Sequence, residues 1–207
     1  MNDSYDPQGY WERVNSHRKS IDFLRAFYDE INSLSPSAGK EHLARANQME
    51  WMRSACRQYG WKTLLDAGCG PGFWFQLWRD EGISFAAVDR ARSALPNARA
   101  MGSRLDLQVR VEQAPLSQLP FGDKEFDVAV TVKVLLHTPP DEIVAAMREL
   151  GRVGKYVMLL EFASERVIET QPHVFQHDYA GIAGQLGFRL LKSEPQPGYQ
   201  RFFVMQS

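Results

Sequence analysis

The sequence predicts an α/β protein: a mainly parallel sheet covered by helices on both faces, with a helical segment ahead of it. Three observations carry this expectation. Residues 1–60 hold no convincing strand, short apolar runs alternate with helical patterns after Gly60, and a glycine-rich turn follows the first of those runs. With 207 residues, 44% of them hydrophobic and 24% charged, the chain suits one domain with a sizeable core and an added helical piece.

The elements follow in order. Between Val14 and Leu34, Ile21, Leu24, Phe27, Tyr28 and Ile31 recur at helical spacing, until "SLSPSAG" breaks the pattern with Pro36 and Gly39. A second helix is expected from about Lys40 to Tyr59, ending near Gly60. Strands are then expected at 63–67, 84–89, 107–112, 126–132 and 155–162, with helices at 73–80, 91–102 and 140–150 between them. Asp178 reads as the N-cap of a helix through "YAGIAGQLG". The last runs, 188–193 and 201–206, are joined by "EPQPGYQ", too short for a crossover helix, so they should form an antiparallel pair at one side of the sheet. The division expected is a helical cap over 1–59 and an α/β core over 60–207.

Charge and cysteine content narrow the function. The net charge is -1, from 24 basic and 25 acidic residues, so no overall basic excess points to nucleic acid. Two cysteines, Cys56 and Cys69, make neither a disulfide framework nor a metal cluster. The start, "MNDSYDPQGY", lacks the pattern of a secretory signal, and no apolar run is long enough to cross a bilayer. A soluble cytoplasmic protein is expected.

The turn in "TLLDAGCGPGFWF" carries Gly68, Gly70 and Gly72 behind an apolar run and Asp66. In open α/β sheets ligands sit beyond the carboxyl ends of the strands, so this turn should border the site. A P-loop needs Gly-Lys and then Ser or Thr, and the turn has no lysine. A dinucleotide fingerprint is G-x-G-x-x-G, whereas the spacing here is G-x-G-x-G with bulky Phe73 at the last small position. Asp66 would repel a pyrophosphate and would suit a cationic ligand group.

The stretch Asp66-Ala-Gly68-Cys69-Gly70-Pro-Gly72 resembles the first motif of class I methyltransferases that use S-adenosylmethionine. Later stretches extend the likeness. "SFAAVD" ends in Asp89, followed by Arg90; a carboxylate there accepts from ribose hydroxyls in related folds. Leu119-Pro120-Phe121 and Phe126-Asp127 match the family's approach to its fourth strand, and "MRELGRVGKYVMLLEF" resembles its arginine-containing helix and fifth strand. The departures are Pro115, with Leu116 after it, where an acidic residue is usual, and Gly151 through Lys155 in place of the usual turn. The adenine would then be held by backbone near Ala114–Leu116 or by Gln113. The resemblance covers about 60–207. It implies a Rossmann-like three-layer sandwich with seven strands in the order 3-2-1-4-5-7-6, an N-terminal helical lid, S-adenosylmethionine as cofactor and S-adenosylhomocysteine as product. It also implies cofactor contacts from Asp66, Gly68, Cys69, Gly70, Asp89, Arg90, Pro115, Leu116, Thr131 and Val132.

Methyl transfer from a sulfonium needs an aligned nucleophile and, where required, a base. Glu161, ending the fifth strand, and His137, after the fourth, are the candidates; the alternatives are a solvated strand end and a loop-capping histidine. His173 and His177 stand four apart, but Pro172 precedes them and no third ligand is evident, so no metal is expected. Phe73, Trp74, Phe75 and Trp78 read as packing. Tyr5, Tyr10 and Trp11 are many aromatics for a free tail, so residues 1–35 are expected to fold over the mouth of the site, with Tyr10, Trp11 and His173 touching substrate. A homodimer interface is the other use of that segment. The expected acceptor is an oxygen or nitrogen of a small molecule, with nucleic acid disfavoured. Two other readings stay open: a cofactor-binding homologue or partner subunit with altered chemistry, and an NAD(P)-dependent oxidoreductase.

Overall fold

The fold is taken from a computed structural model that describes residues 6–17, 40–163, 173–196 and 200–207. Helix α1 spans Pro7–His17 and α2 spans Lys40–Tyr59; most of the helical pattern expected over Val14–Leu34 lies outside the described residues. Strand β1 (Thr63–Ala67), α3 (Phe75–Asp80), β2 (Ser84–Asp89), α4 (Leu95–Arg104) and β3 (Arg110–Gln113) follow. Next come β4 (Phe126–Val132), α5 (Ile143–Val153), β5 (Gly154–Phe162), α6 (Tyr179–Gln185), β6 (Arg189–Gln196) and β7 (Gln200–Gln206).

The seven strands form one sheet in the order β3-β2-β1-β4-β5-β7-β6, as the resemblance implies. Pairing is parallel from β3 through β5, while β7 runs antiparallel to both β5 and β6. Strand alternation sorts the core. Leu64, Val128, Val130 and Met158 face α2, α3 and α4; Leu65, Ala129, Val157 and Leu159 face α5 and α6. Helix α2 places Met49, Met52 and Cys56 on one buried stripe, and Arg57 grips Glu81 at the end of α3 with two bonds of 2.8 Å.

Three expectations change in detail. The third strand starts at Arg110 rather than at 107, because Leu107 N donates to Gly102 O at 2.9 Å and closes the end of α4 instead. The first helix after the glycine turn starts at Phe75, two residues late, since residues 71–74 are turn. Gly151 through Lys155 form no separate turn: α5 runs to Val153 and β5 begins at Gly154. A Cβ on Gly151 would fall 2.1 Å from the Phe188 ring, and this close approach explains a glycine inside the helix. The Asp178 cap holds, its Oδ1 accepting from Gly181 N at 2.9 Å.

Two family-like stretches acquire physical roles. Asp127 accepts from the amides of Lys62 and Thr63 and from Lys155 Nζ, which pins β4 to the start of β1. Burial would raise its carboxyl, but these bonds win and hold it down at about 2. Arg152 donates to the carbonyls of Leu119 and Phe121, while Glu149 accepts from Leu119 N, so α5 fixes the Leu-Pro-Phe stretch leading into β4. No described helix is long and apolar enough to cross a membrane.

Candidate active site

The carboxyl ends of the parallel strands open onto a cavity of about 400 Å³, within the usual range of small-molecule sites. One part of its wall is strand ends and the turns after them: Gly68 and Gly70 after β1, Asp89 and Arg90 at β2, Leu116 after β3, Val132 at β4. The other part is Trp11 and Asn15 of α1, Gln48 of α2, and His137 with Thr138 beyond β4.

The glycine turn needs its glycines. Gly68, Gly70 and Gly72 have φ of 83°, 54° and 90°, in the region that disfavours other residues. A Cβ on Gly68 would also lie 2.5 Å from both methyls of Val134. The amides of Gly68 and Cys69 donate to Val88 O at 2.7 and 3.0 Å, binding the turn to the end of β2. Asp89 completes this unit: Oδ2 accepts from Gly70 N and Oδ1 from Ala91 N, both at 2.8 Å. Each oxygen keeps lone-pair capacity for a ligand hydroxyl. Burial raises the Asp89 carboxyl, against the pull of the two amides.

Four of the expected cofactor residues stand behind the wall. Asp66 is buried and accepts from Trp78 Nε1 at 2.9 Å; burial pushes its carboxyl up to about 7 despite that bond. It ties α3 to β1 from beneath the turn and is absent from the cavity wall, where a hydrogen bond or a water link to a cationic ligand group was expected. Cys69 and Thr131 are buried outside the lining, and Pro115 is passed over between Ala114 and Leu116, which do line it. Gln113 is exposed and donates to Arg90 O at 3.2 Å, outside the lining.

Glu161 requires a larger correction. It is fully buried, does not line the cavity, and accepts from the amides of Val134 at 3.1 Å and Leu136 at 3.2 Å. Burial lifts its carboxyl to about 7, opposed by the Thr131 hydroxyl and those amides. The carboxylate is thus spent on the turn after β4, where Lys133 has φ 57°, and through Val134 it backs the Gly68 turn.

The other expected acceptor-side residues meet. His137 Nδ1 lies 2.7 Å from the carbonyl of His173, and Tyr10 Oη lies 3.0 Å from His173 Nε2. Tyr10 stacks on His173 at 4.4 Å, and Trp11 sets its ring against His137 at 4.7 Å. Trp11 and His137 line the cavity, with Tyr10 and His173 one layer behind. A carbonyl can only accept, so Nδ1 of His137 carries the proton and Nε2 is the basic nitrogen. His177 turns elsewhere, donating Nε2–H to Thr138 O at 2.9 Å, and burial lowers its ring pKa. Among the described residues no group of three side chains could hold a metal ion.

Residues 64–156, from β1 into β5, match the family described as "Methyltransferase domain". Over those residues the chain is similar to class I S-adenosylmethionine-dependent methyltransferases. Curated relatives of this domain include the ubiquinone biosynthesis O-methyltransferase of Bordetella avium (strain 197N), 25% identical over 69% of this chain and 63% of its own length. The malonyl-[acyl-carrier protein] O-methyltransferase of Erwinia billingiae (strain Eb661) is 33% identical over 50% of this chain and 38% of its own. The chain therefore spans less than two thirds of these relatives. Among solved structures, magnesium protoporphyrin IX methyltransferase from Synechocystis PCC 6803 with bound SAM superposes with a TM-score of 0.69 at 19% identity, over 100% of this chain and 99% of that one. At that identity the likeness concerns the fold.

Helix α1 is stitched across the cavity. Glu12 accepts from the amides of Arg92 at 2.7 Å and Ser93 at 2.9 Å, and Ser93 Oγ donates to Glu12 O at 3.0 Å. Gln8 donates to Arg90 O at 3.0 Å. Partial burial works against the ionised form of Glu12, but these donors win and its pKa is lowered.

Several lining residues escaped the sequence. Phe73 and Trp74 belong to the aromatic run read mostly as packing; both pack on the core and also line the cavity, while Phe75 and Trp78 lie wholly in the core. Asn15 stands four after Trp11, a same-face spacing that was available as a clue. Gln48 and Ser117 carried no motif at all.

Proposed function

We propose that this protein is a methyltransferase that moves a methyl group from S-adenosylmethionine to an oxygen or nitrogen atom of a small-molecule acceptor in the cytoplasm. The observation that carries the reading is the joint cavity, in which the Gly68–Gly70 turn and Asp89 share one space with Trp11, Asn15 and His137. The residues present fit the cofactor. The turn has no lysine, its glycines leave the main chain open to close approach, and the carboxylate beside it, Asp89, suits a diol rather than a phosphate.

When bound, the cofactor supplies an already activated methyl group on its sulfonium. In this proposal Asp89 accepts from the ribose hydroxyls, Ala114 and Leu116 flank the adenine with main-chain groups, and Val132 with the Gly68–Gly70 backbone borders the amino-acid part. Residues 60–207 form the cofactor-binding core and residues 1–59 the cap, with α1 excluding water from the cavity. His137 takes the proton from the acceptor at Nε2, and the His173 carbonyl holds the required tautomer at Nδ1. Tyr10 in turn holds His173. Glu161 acts as a positioning residue for the turn that carries Val134.

Calorimetric titration with S-adenosylhomocysteine and with NADH tests the cofactor half: binding of the first is expected, and tight binding of NADH alone would overturn the reading. For the chemistry, His137→Gln should lower turnover about 100-fold and flatten the acid limb of the pH–rate profile while S-adenosylhomocysteine affinity holds. Unchanged turnover would remove His137 from the reaction.

A further inference from the structure

The two cap residues in the cavity wall that no motif announces share an unusual property. Asn15 is 3% exposed and Gln48 is 4% exposed, and each has a side-chain oxygen with no hydrogen-bond partner among the described residues. A buried amide oxygen left without a donor is destabilising, so such groups call for a partner that the protein itself does not provide.

The orientation of Asn15 is fixed by chemistry. Its Nδ2 donates to the carbonyl of Trp11 at 3.1 Å, and a carbonyl cannot donate in return. The side that remains is therefore the carbonyl oxygen, which can only accept. Gln48 donates Nε2 to Gln200 Oε1 at 2.9 Å, leaving its own Oε1 without a donor.

Their position selects the ligand. Gln200 pairs in register with Phe162 at the end of β5, and Asp89 ends β2, with β1 and β4 between those two strands. Gln48 thus belongs to the half of the cavity away from the Asp89 carboxylate. Asn15 shares a face of α1 with Trp11, whose ring meets His137 in the turn after β4. Asn15 therefore stands on the side of His137, and both amides share the cavity with the aromatic walls of Trp11, Phe73 and Trp74.

We propose that the Asn15 carboxamide oxygen, with Gln48 in the same cavity wall, is a specificity-determining subsite that receives an O–H or N–H donor of the methyl acceptor. The subsite selects hydroxyl- or amine-bearing aromatic molecules over their fully methylated ethers and over carboxylates. An ether brings no proton to the oxygen, and a carboxylate sets acceptor against acceptor. The inference rests on the small-molecule methyltransferase reading and sharpens its substrate class.

Ligand-observed NMR titration with catechol, catechol dimethyl ether, benzylamine and benzoate tests it, run with and without saturating S-adenosylhomocysteine. Catechol and benzylamine should bind at least about tenfold more tightly than the ether and benzoate, the size of one hydrogen bond to a buried group. Asn15→Leu should erase that difference while S-adenosylhomocysteine affinity, measured separately, stays within twofold, which also reports an intact fold. Asn15→Asp keeps an accepting oxygen and should restore the preference for benzylamine. Equal binding of the four probes, or no Asn15-dependent binding of any, would overturn the subsite. So would an Asn15→Leu loss carried mainly by S-adenosylhomocysteine, since the oxygen would then serve the cofactor. A wild-type protein that binds no S-adenosylhomocysteine would instead sink the methyltransferase reading, and the probe series without it would still decide Asn15.

Discussion

The two halves of the cavity are made of different materials. Around Gly68, Gly70 and Asp89 the wall is largely main chain, held by amide-to-carbonyl and amide-to-carboxylate bonds between consecutive strand ends. Around Asn15, Gln48 and His137 it is side chains, brought together from α1, α2 and the turn after β4, with the segment near His173 behind them. A main-chain site demands particular residues at fixed spacing, because only glycine tolerates the torsions and the close packing. A side-chain site demands only that suitable groups arrive at one place, whatever their distance in sequence. The first kind leaves a motif and the second does not.

The comparison can be broken most severely at Gly68. Gly68→Val places a β-branched residue at φ 83° with its Cβ 2.5 Å from Val134. It should destabilise the fold by more than about 2 kcal/mol, seen as a lower denaturation midpoint, and abolish S-adenosylhomocysteine binding. A variant that melts and binds like the wild type would show that the turn is softer than its geometry. Next comes Asp89→Ala, which deprives the amides of Gly70 and Ala91 of their acceptor. Calorimetry should register a loss of about 1–3 kcal/mol in S-adenosylhomocysteine affinity.

Glu12→Ala probes the border between the halves. Removing the carboxylate that caps the amides of Arg92 and Ser93 should weaken α1 docking by about 1 kcal/mol, read as faster amide exchange in residues 7–17. Because the Glu12 pKa is lowered in the folded protein, its contribution is complete above the ordinary glutamate range. That contribution fades as pH falls through the lowered value, so α1 should loosen in acid. Loss of α1 protection at alkaline pH instead would contradict this.

The smallest effect concerns Glu161. Its carboxyl is raised from 4.5 to about 7, so the folded protein holds a proton there that the unfolded chain releases. On this group's account stability falls as pH rises from about 4.5 to about 7. Asp66, also raised to about 7, adds to the same slope. Glu161→Gln should therefore flatten, but not remove, the decline of melting temperature across that window. An unchanged slope would mean that Glu161 titrates normally.

Much of the fold was legible in the sequence. The alternation of strands and helices follows from burial on both faces of a parallel sheet, and the strand order came with the family likeness. Boundaries drifted where local chemistry overrode hydrophobic pattern, as at Leu107, which serves the end of α4. In the site, Gly68, Gly70, Asp89, Arg90, Leu116 and Val132 were foreseeable because they line the cavity through strand-end geometry. Asp66 and Glu161 misled for a common reason. A carboxylate at a strand end reads as ligand-facing, but alternation turned each into the layer below, where Trp78 in one case and the turn amides in the other claimed it. Gln48 was illegible because no motif surrounds it, while Asn15 left only its same-face spacing from Trp11.

Residues Asp89 to Ser93 serve two masters. On one side Asp89 borders the cavity; on the other, the carbonyl of Arg90 and the amides of Arg92 and Ser93 hold Gln8 and Glu12. Thermodynamic linkage makes such sharing reciprocal. Whatever factor a molecule seated against Asp89 adds to the docking of α1, the docking of α1 returns to that molecule's residence. Five consecutive residues are thereby common to the cofactor pocket and the helix above it, and any coupling between the two runs equally in both directions.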